Sequence, residues 1–421
     1  MATESKKRSR TDQETLTEKP TKKQTLEGDS ALDSILLPSN AHAEDNEDFR
    51  IVTGTYERIL FGINVYWKNK EEESTTTPKL RMDPIFIIPA HTGCIRTVNI
   101  GGQFLASGST DEVIRLYDVK KRKEYGSLGG QHQGDVTDIQ FYGKYMLSAS
   151  DDKTICIWRK SDWEYLKTLK GHKGRVNSVA IHPSGKIALS VSTDKTVIVW
   201  NLMTARKASI NKLYQEGLFV SWNKNGDKYA IMFDREIKIY NVADAEVTTT
   251  ISHRSRFLCM RYYTSKTTTN KEYIISGHED KTIRIWDAST GDLVTEFIGH
   301  KLRVKTITLI ESKPSNDQDP VSILVSVSSD GVIKCWDLEA VLAKKEEEET
   351  LLGEYNTKSR VTCCTAHIGF SKSVTEQQQQ KEEKQEKKSL PQQQESLEKE
   401  QQTPSKKKKN LKKETTKTKR N

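Results

Sequence analysis

Four sets of side chains in this 421-residue chain have the composition of a nucleophilic active site. They are His132, Ser148, Asp152 and Trp158; His172, Ser190, Asp194 and Trp200; His253, Ser276, Asp280 and Trp286; and His300, Ser326, Asp330 and Trp336. A hydroxyl, an imidazole and a carboxylate are the parts of an acyl-transfer catalyst, in which the imidazole takes the hydroxyl proton and the carboxylate orients the imidazole. Such a catalyst occurs once in a chain. Copies at near-constant spacing instead suit a repeated structural unit, with a buried hydrogen-bond chain running from carboxylate through imidazole and hydroxyl to the indole N–H. A further set, His91, Ser107 and Asp111, ends at Tyr117, whose hydroxyl is also a donor. Another position keeps only Asp234, with Ala230 in place of serine and Tyr240 at its end, and this unit is expected to be the least stable locally. There is no phosphate-cradling glycine loop, no dinucleotide fingerprint and no HExxH, so the reading is non-enzymatic, with no catalytic residue, cofactor site or metal site.

The period of these sets names the elements that must position them. Asp111, Asp152, Asp194, Asp234, Asp280 and Asp330 each stand six residues before Tyr117, Trp158, Trp200, Tyr240, Trp286 and Trp336, at intervals of 41, 42, 40, 46 and 50 residues. Alternating apolar and polar residues between them read as strands, and a four-stranded unit at this period is a propeller blade of the WD class. The two long intervals hold polar insertions at 264–271 and 312–320, both expected as loops between the first two strands of their blades. Residues 50–57 read as a second strand and turn, 58–66 as a third strand and 80–89 as an outermost one; the alternating segment 360–366 supplies the missing inner strand. A blade shared by the two ends closes the ring and removes open sheet edges. The expected fold is all-β: a seven-bladed WD40-type β-propeller over residues 49–370, with 68–77 and 344–349 as charged surface loops.

Residues 1–48 and 371–421 lack an apolar period and are expected to be a disordered arm and a disordered Gln/Lys/Glu-rich tail. Of the formal net charge of +9, the last sixteen residues alone contribute +8, through Lys406, Lys407, Lys408, Lys409, Lys412 and Lys413 among others. Such a tail favours RNA or acidic partners. Basic clusters at Lys6–Arg10 and Lys22-Lys23 suit a nuclear import signal, and Thr403-Pro404-Ser405-Lys406 suits proline-directed phosphorylation. The six cysteines form no CxxC or disulfide framework, and no apolar run approaches membrane-spanning length; the expectation is a chain of a reduced compartment, neither secreted nor membrane-embedded. Trp163 and Trp222 stand outside the repeat positions and are expected to pack rather than bind.

A second pattern follows the Gly-His positions. Arg175, Arg256 and Arg303 lie three residues after His172, His253 and His300, and Arg360 takes the same place in the shared blade. With Lys173, Arg254, Lys301 and Lys358 nearby, these positions are candidates for a basic rim at the channel mouth, suited to phosphate or carboxylate recognition. The bland alternative is arginine tolerated on solvated loops.

The segments YERILFG (56–62), HKGRV (172–176), IHPSGKIALSV (181–191), TDKT (193–196) and SSDGVIK (328–334) resemble the PAK-interacting-protein family of WD-repeat proteins, including its fungal large-ribosomal-subunit assembly factors. The resemblance covers about residues 49–368, with an arm longer than in the shorter animal members. It implies a scaffold rather than an enzyme, expected to be monomeric: a nucleolar factor in 60S maturation and pre-rRNA processing, with proteins and pre-rRNA of pre-60S particles as partners. Binding and restraint of a p21-activated kinase is the second implication. A ubiquitin-ligase substrate receptor ranks below both, because Trp286-Asp-Ala-Ser289 and Trp336-Asp-Leu-Glu339 lack the arginine of WDxR.

Overall fold

A computed structural model of the chain describes residues 47–68, 79–266, 271–314 and 319–369, apart from the side chains of 347 and 348. Seven four-stranded antiparallel sheets form the blades of a propeller. Blades 1 to 6 occupy 95–128, 136–170, 176–212, 219–252, 257–298 and 304–356 in chain order, each running from the inner strand to the outer one. Blade 7 joins the two ends: Val361–Ile368 is its inner strand and pairs with Phe49–Thr55, followed by Ile59–Trp67 and Leu80–Pro89. The arm and tail, the loop at 69–78 and the tips of the two insertions at 267–270 and 315–318 lie outside the described residues.

Two-residue periodicity builds these sheets, because alternate side chains on each strand enter the contact between neighbouring blades. Between blades 2 and 3, for instance, Leu147, Ile155, Val179, Ile198 and Trp200 pack as one cluster of fully buried side chains. The ring is also closed by polar contacts. Arg50 donates to the Val119 carbonyl at 2.6 Å in blade 1, while the Glu47 carboxylate lies 2.7 Å from its guanidinium, both side chains being buried.

Bulges occur in two recurrent places. One falls on the second residue of the inner strand, beside Arg96, Thr137, Asn177, Leu258, Lys305 and Thr362. The other falls in the outer hairpin at Tyr117, Trp158, Trp200, Tyr240, Trp286 and Trp336. A bulge re-aims side chains locally, and both places prove functional or structural below.

One loop expectation needs correction. Within 344–349 the chain does not stay irregular: Glu347–Thr350 is a helical turn, and it follows a short helix at Leu338–Leu342. Asp337 caps that helix by accepting from the Glu339 and Ala340 N–H groups, and Leu338, Ala340 and Val341 bury its apolar side.

Candidate functional site

The Ser-His-Asp sets sit at one end of the blades, where the loop entering each blade meets the turn between its second and third strands. In blades 1, 2 and 3 the imidazole Nδ1 lies 2.9, 2.9 and 3.1 Å from Asp111, Asp152 and Asp194, and Nε2 lies 2.7, 2.8 and 2.7 Å from Ser107, Ser148 and Ser190. Trp158 and Trp200 donate their indole N–H to the same hydroxyls at 2.9 and 2.8 Å. A carboxylate only accepts, so Nδ1 carries a proton and donates it to the aspartate. In blades 1 and 3 burial lowers the imidazole pKa, and Nε2 then accepts from the serine. Burial opposes the charge of His132 too, but its bonds to Asp152 and Cys156 outweigh burial and raise it to about 9. Hydrogen bonds outweigh the burial that opposes ionisation, so these carboxylates stay below their ordinary range, Asp152 at about 2. Ser107, Ser148, Ser190, Ser276 and Ser326 are wholly buried. A hydroxyl with no open face and an indole on its lone pair has no access to a substrate carbonyl.

Blades 5 and 6 depart from this pattern. Trp286 and Trp336 still donate to Ser276 and Ser326, at 2.8 and 2.9 Å. His253, however, is not in the chain of bonds: its Nδ1 accepts from the Ser255 N–H, and His278 takes its place 2.9 Å from Ser276. His278 occupies the position filled by Ser109, Ser150, Ser192 and Ser328 in the other units, and Asp280 turns to Arg284 at 2.9 and 3.2 Å. In blade 6 His300 reaches Ser326 at 2.8 Å, but its Nδ1 and the Asp330 Oδ2 are buried without hydrogen-bond partners. Burial therefore holds both imidazoles neutral, His278 at about 3 and His300 at about 4.

The physical reason lies two residues after the histidine. Blades 1, 2 and 3 have Gly93, Gly134 and Gly174 there, and a Cβ would fall 2.9, 3.0 and 3.0 Å from the backbone nitrogen of the aspartate. Blades 5 and 6 have Ser255 and Leu302 at that position, whose side chains the loop must accommodate beside the turn, and there the His–Asp contact is not made. In blade 1, the Tyr117 hydroxyl is buried short of hydrogen-bond geometry with Ser107. Blade 4 replaces the set by packing, with Tyr229 and Tyr240 stacked at 5.0 Å and 7°.

The same end of the propeller carries the rim arginines, and they do not form a uniform ring. Arg256 is engaged by Asp234, 2.5 Å away, in the blade without a histidine. Arg175 is half-buried with its Nε unpartnered, and Lys173, Arg254, Lys301 and Lys358 are exposed around the face. Arg360 is exposed with its guanidinium 5.2 Å from the Tyr56 ring. It lines a cavity of about 460 Å³ together with Arg58, Arg96 and Lys305, where blades 6, 7 and 1 meet. Thr362 donates to the Ile95 carbonyl at 2.6 Å on the cavity wall. Burial lowers the Lys305 pKa, and Arg303, Arg360 and Arg96 lower it further.

Arg58, Arg96 and Lys305 were not legible as site residues. Arg96 and Lys305 are the bulged second residues of inner strands, and only strand pairing shows that this position turns into the channel mouth. The two extra tryptophans pack: Trp163 meets Phe104 at 5.1 Å, and Trp222 donates to the Ala180 carbonyl at 3.0 Å. The tail lysines Lys406–Lys409, Lys412 and Lys413 lie outside the described residues.

The WD domain, G-beta repeat model matches five segments, 82–118, 123–159, 163–201, 246–287 and 291–337, passing over the first three strands of blade 4. A Danio rerio protein named p21-activated protein kinase-interacting protein 1-like is 36% identical over 333 residues, 79% of this chain and 84% of that one. Protein MAK11 of Saccharomyces cerevisiae is 33% identical over 362 residues, covering 76% and 83%. Shk1 kinase-binding protein 15 of Schizosaccharomyces pombe is 25% identical over 334 residues, covering 77% and 86%.

Proposed function

Because the chain belongs to the PAK-interacting family of WD-repeat proteins, we propose that it is a non-enzymatic nucleolar scaffold that holds proteins and pre-rRNA of 60S precursors during maturation. The observation that carries this reading is the separation of two cationic features. The cavity with Arg58, Arg96, Lys305 and Arg360 lies at one end of the blades, beside Tyr56 and the start of the Val361–Ile368 strand. The described chain ends at the other, where the Gly369 N–H meets the Asp48 carbonyl at 3.0 Å. The chain leaves the described fold at the end opposite the rim, and the lysine-rich segment further along the sequence supplies a second cationic feature, suited to RNA. Sealed serines in five blades leave binding as the chemistry of this face.

Affinity purification of the full chain with and without ribonuclease tests the reading. Large-subunit precursor proteins and pre-rRNA are expected without the nuclease, and the association is expected to be lost at high salt or on deletion of residues 405–421. Absence from precursor fractions at low salt would sink it. A second reading, a scaffold that binds and restrains a p21-activated kinase, is favoured by the names of the Danio rerio and Schizosaccharomyces pombe relatives, which describe kinase-interacting proteins. Direct capture of the kinase regulatory region by the purified chain without RNA is its test.

A further inference from the structure

The cations around the cavity between blades 6, 7 and 1 are an energetic liability in the folded chain. Lys305 is half-buried among Arg303, Arg360 and Arg96, and each neighbour disfavours its charge. Among the described residues, Arg58, Arg303, Lys305 and Arg360 have no carboxylate within ion-pair distance; only Arg96 is engaged, by Asp135 at 3.2 Å. Like charges gathered in a partly desolvated recess cost stability and need a multivalent anion to offset them. One carboxylate would compensate one of these cations. A phosphoryl dianion, with three acceptor oxygens, matches several at once, including the planar guanidinium groups.

The surroundings choose between a phosphorylated protein and a nucleic-acid backbone. A phosphodiester chain needs a continued basic track, with aromatic platforms for its bases. Here the recess is bordered by carboxylates: Glu57 accepts the Arg360 backbone N–H at 3.0 Å, and Asp135 sits beside Arg96. The exposed side chain on the lip is Tyr56, already faced by the Arg360 guanidinium. The flanking acids repel a polyanion that continues past the pocket, whereas a single phosphate carried on a peptide avoids them.

We propose that this cavity, lined by Arg58, Arg96, Lys305 and Arg360, binds the phosphoryl group of a phosphoserine or phosphothreonine on a protein partner. This rests on the scaffold reading only in that the face is a binding face, and it names what that face recognises. Lys305 is the central contact, Arg96 and Arg360 flank it, and Tyr56 contacts the neighbouring peptide residues.

The test uses the full chain on an array of peptides carrying phosphoserine or phosphothreonine, their unphosphorylated and glutamate counterparts, and an oligouridylate. At least about tenfold preference for a subset of phosphopeptides over both counterparts is expected, because the charge-assisted contacts go to the dianion. Lys305→Met should abolish that preference, whereas Arg256→Ala, whose guanidinium is already held by Asp234, should keep it. Thermal melting guards against misfolding: Lys305→Met relieves like-charge repulsion and should melt no lower than the parent. No phosphate preference, a preference that survives Lys305→Met, or Lys305-dependent binding of the oligouridylate alone would each overturn the proposal. Co-sedimentation with 60S precursors is scored separately, so loss of phosphopeptide binding with intact particle association defeats only this inference.

Discussion

At the scale of single residues, the glycine two places after the histidine decides whether a blade's hydrogen-bond chain is complete. Gly174 is not in a left-handed conformation, so its requirement is steric: an added Cβ would lie 2.4 Å from Thr193 Oγ1 and 3.0 Å from the Asp194 nitrogen. Gly174→Ala should therefore separate His172 from Asp194 and cost about 2 kcal/mol, the scale of unsatisfied buried groups. Asp194→Asn should cost about 1–2 kcal/mol, whereas Asp330→Asn, at a carboxylate that His300 does not reach, should fall within about 0.5 kcal/mol of the parent. Urea unfolding of the three variants reads these differences, and an equal loss at Asp194 and Asp330 would refute the glycine rule. The orphaned His300 also makes a pH prediction. Its folded pKa of about 4 lies below the ordinary 6.5, so the unfolded chain binds the proton first and stability falls as pH drops from about 6.5 towards 4. Between pH 7 and pH 5 the loss from this group is about 2 kcal/mol. His300→Gln should remove that part of the pH dependence; unchanged dependence would show that the imidazole is not held neutral.

At the scale of the blade, the architecture was legible because two-residue alternation and the Asp-to-Trp spacing survive in almost every unit, and the shared seventh blade followed from an alternating segment at each end. What the sequence hid was created by pairing. The bulges that aim Arg96 and Lys305 at the channel mouth arise from register and leave no compositional trace. The exchange of His253 for His278 was hidden for a related reason, since Ser276-Gly277-His278 reads as an ordinary Ser-x-Ser strand end until geometry shows its ring turned inward. The glycine rule, by contrast, was readable in Gly93, Gly134 and Gly174 against Ser255 and Leu302, once a His–Asp contact was known to depend on it. Blade 4 carries the prediction at this scale. It has Ala230 where others have serine, an inner strand of four residues, Phe219–Trp222, and an exposed ion pair in place of the buried chain. Its stacked tyrosines contribute packing but no directional bond. Amides of 229–231 and 237–239 should exchange about tenfold faster than those of 188–190 and 197–199 in blade 3, because local opening follows local contact strength. Equal rates by mass-spectrometric hydrogen exchange would show that neighbouring blades alone set blade 4's stability.

At the scale of the whole molecule, the directions of the strands separate the two basic features. The inner strand Val361–Ile368 begins beside Tyr56, whose N–H meets the Arg360 carbonyl at 2.8 Å, and ends at the pairing of Ile368 with Phe49. Eight extended residues span about 25 Å, roughly three Debye lengths at physiological salt. Gly369 thus lies where the rim's field is screened, and like charge disfavours binding of the lysine-rich segment in the cationic cavity. Binding at the two places should then be separable by salt. The last sixteen residues carry nine basic side chains, and single-stranded RNA releases counterions with a slope of about −0.7 per neutralised phosphate. Deleting residues 406–421 should flatten the log–log salt dependence of binding to a single-stranded RNA by about 4 to 6. Lys305→Met should leave that slope within about 1 of the parent, since one rim contact at most is lost. Filter binding over a series of salt concentrations distinguishes the cases. A slope that falls with Lys305→Met as far as with the tail deletion would mean that RNA crosses both ends of the propeller, and the division of labour between rim and tail would be wrong.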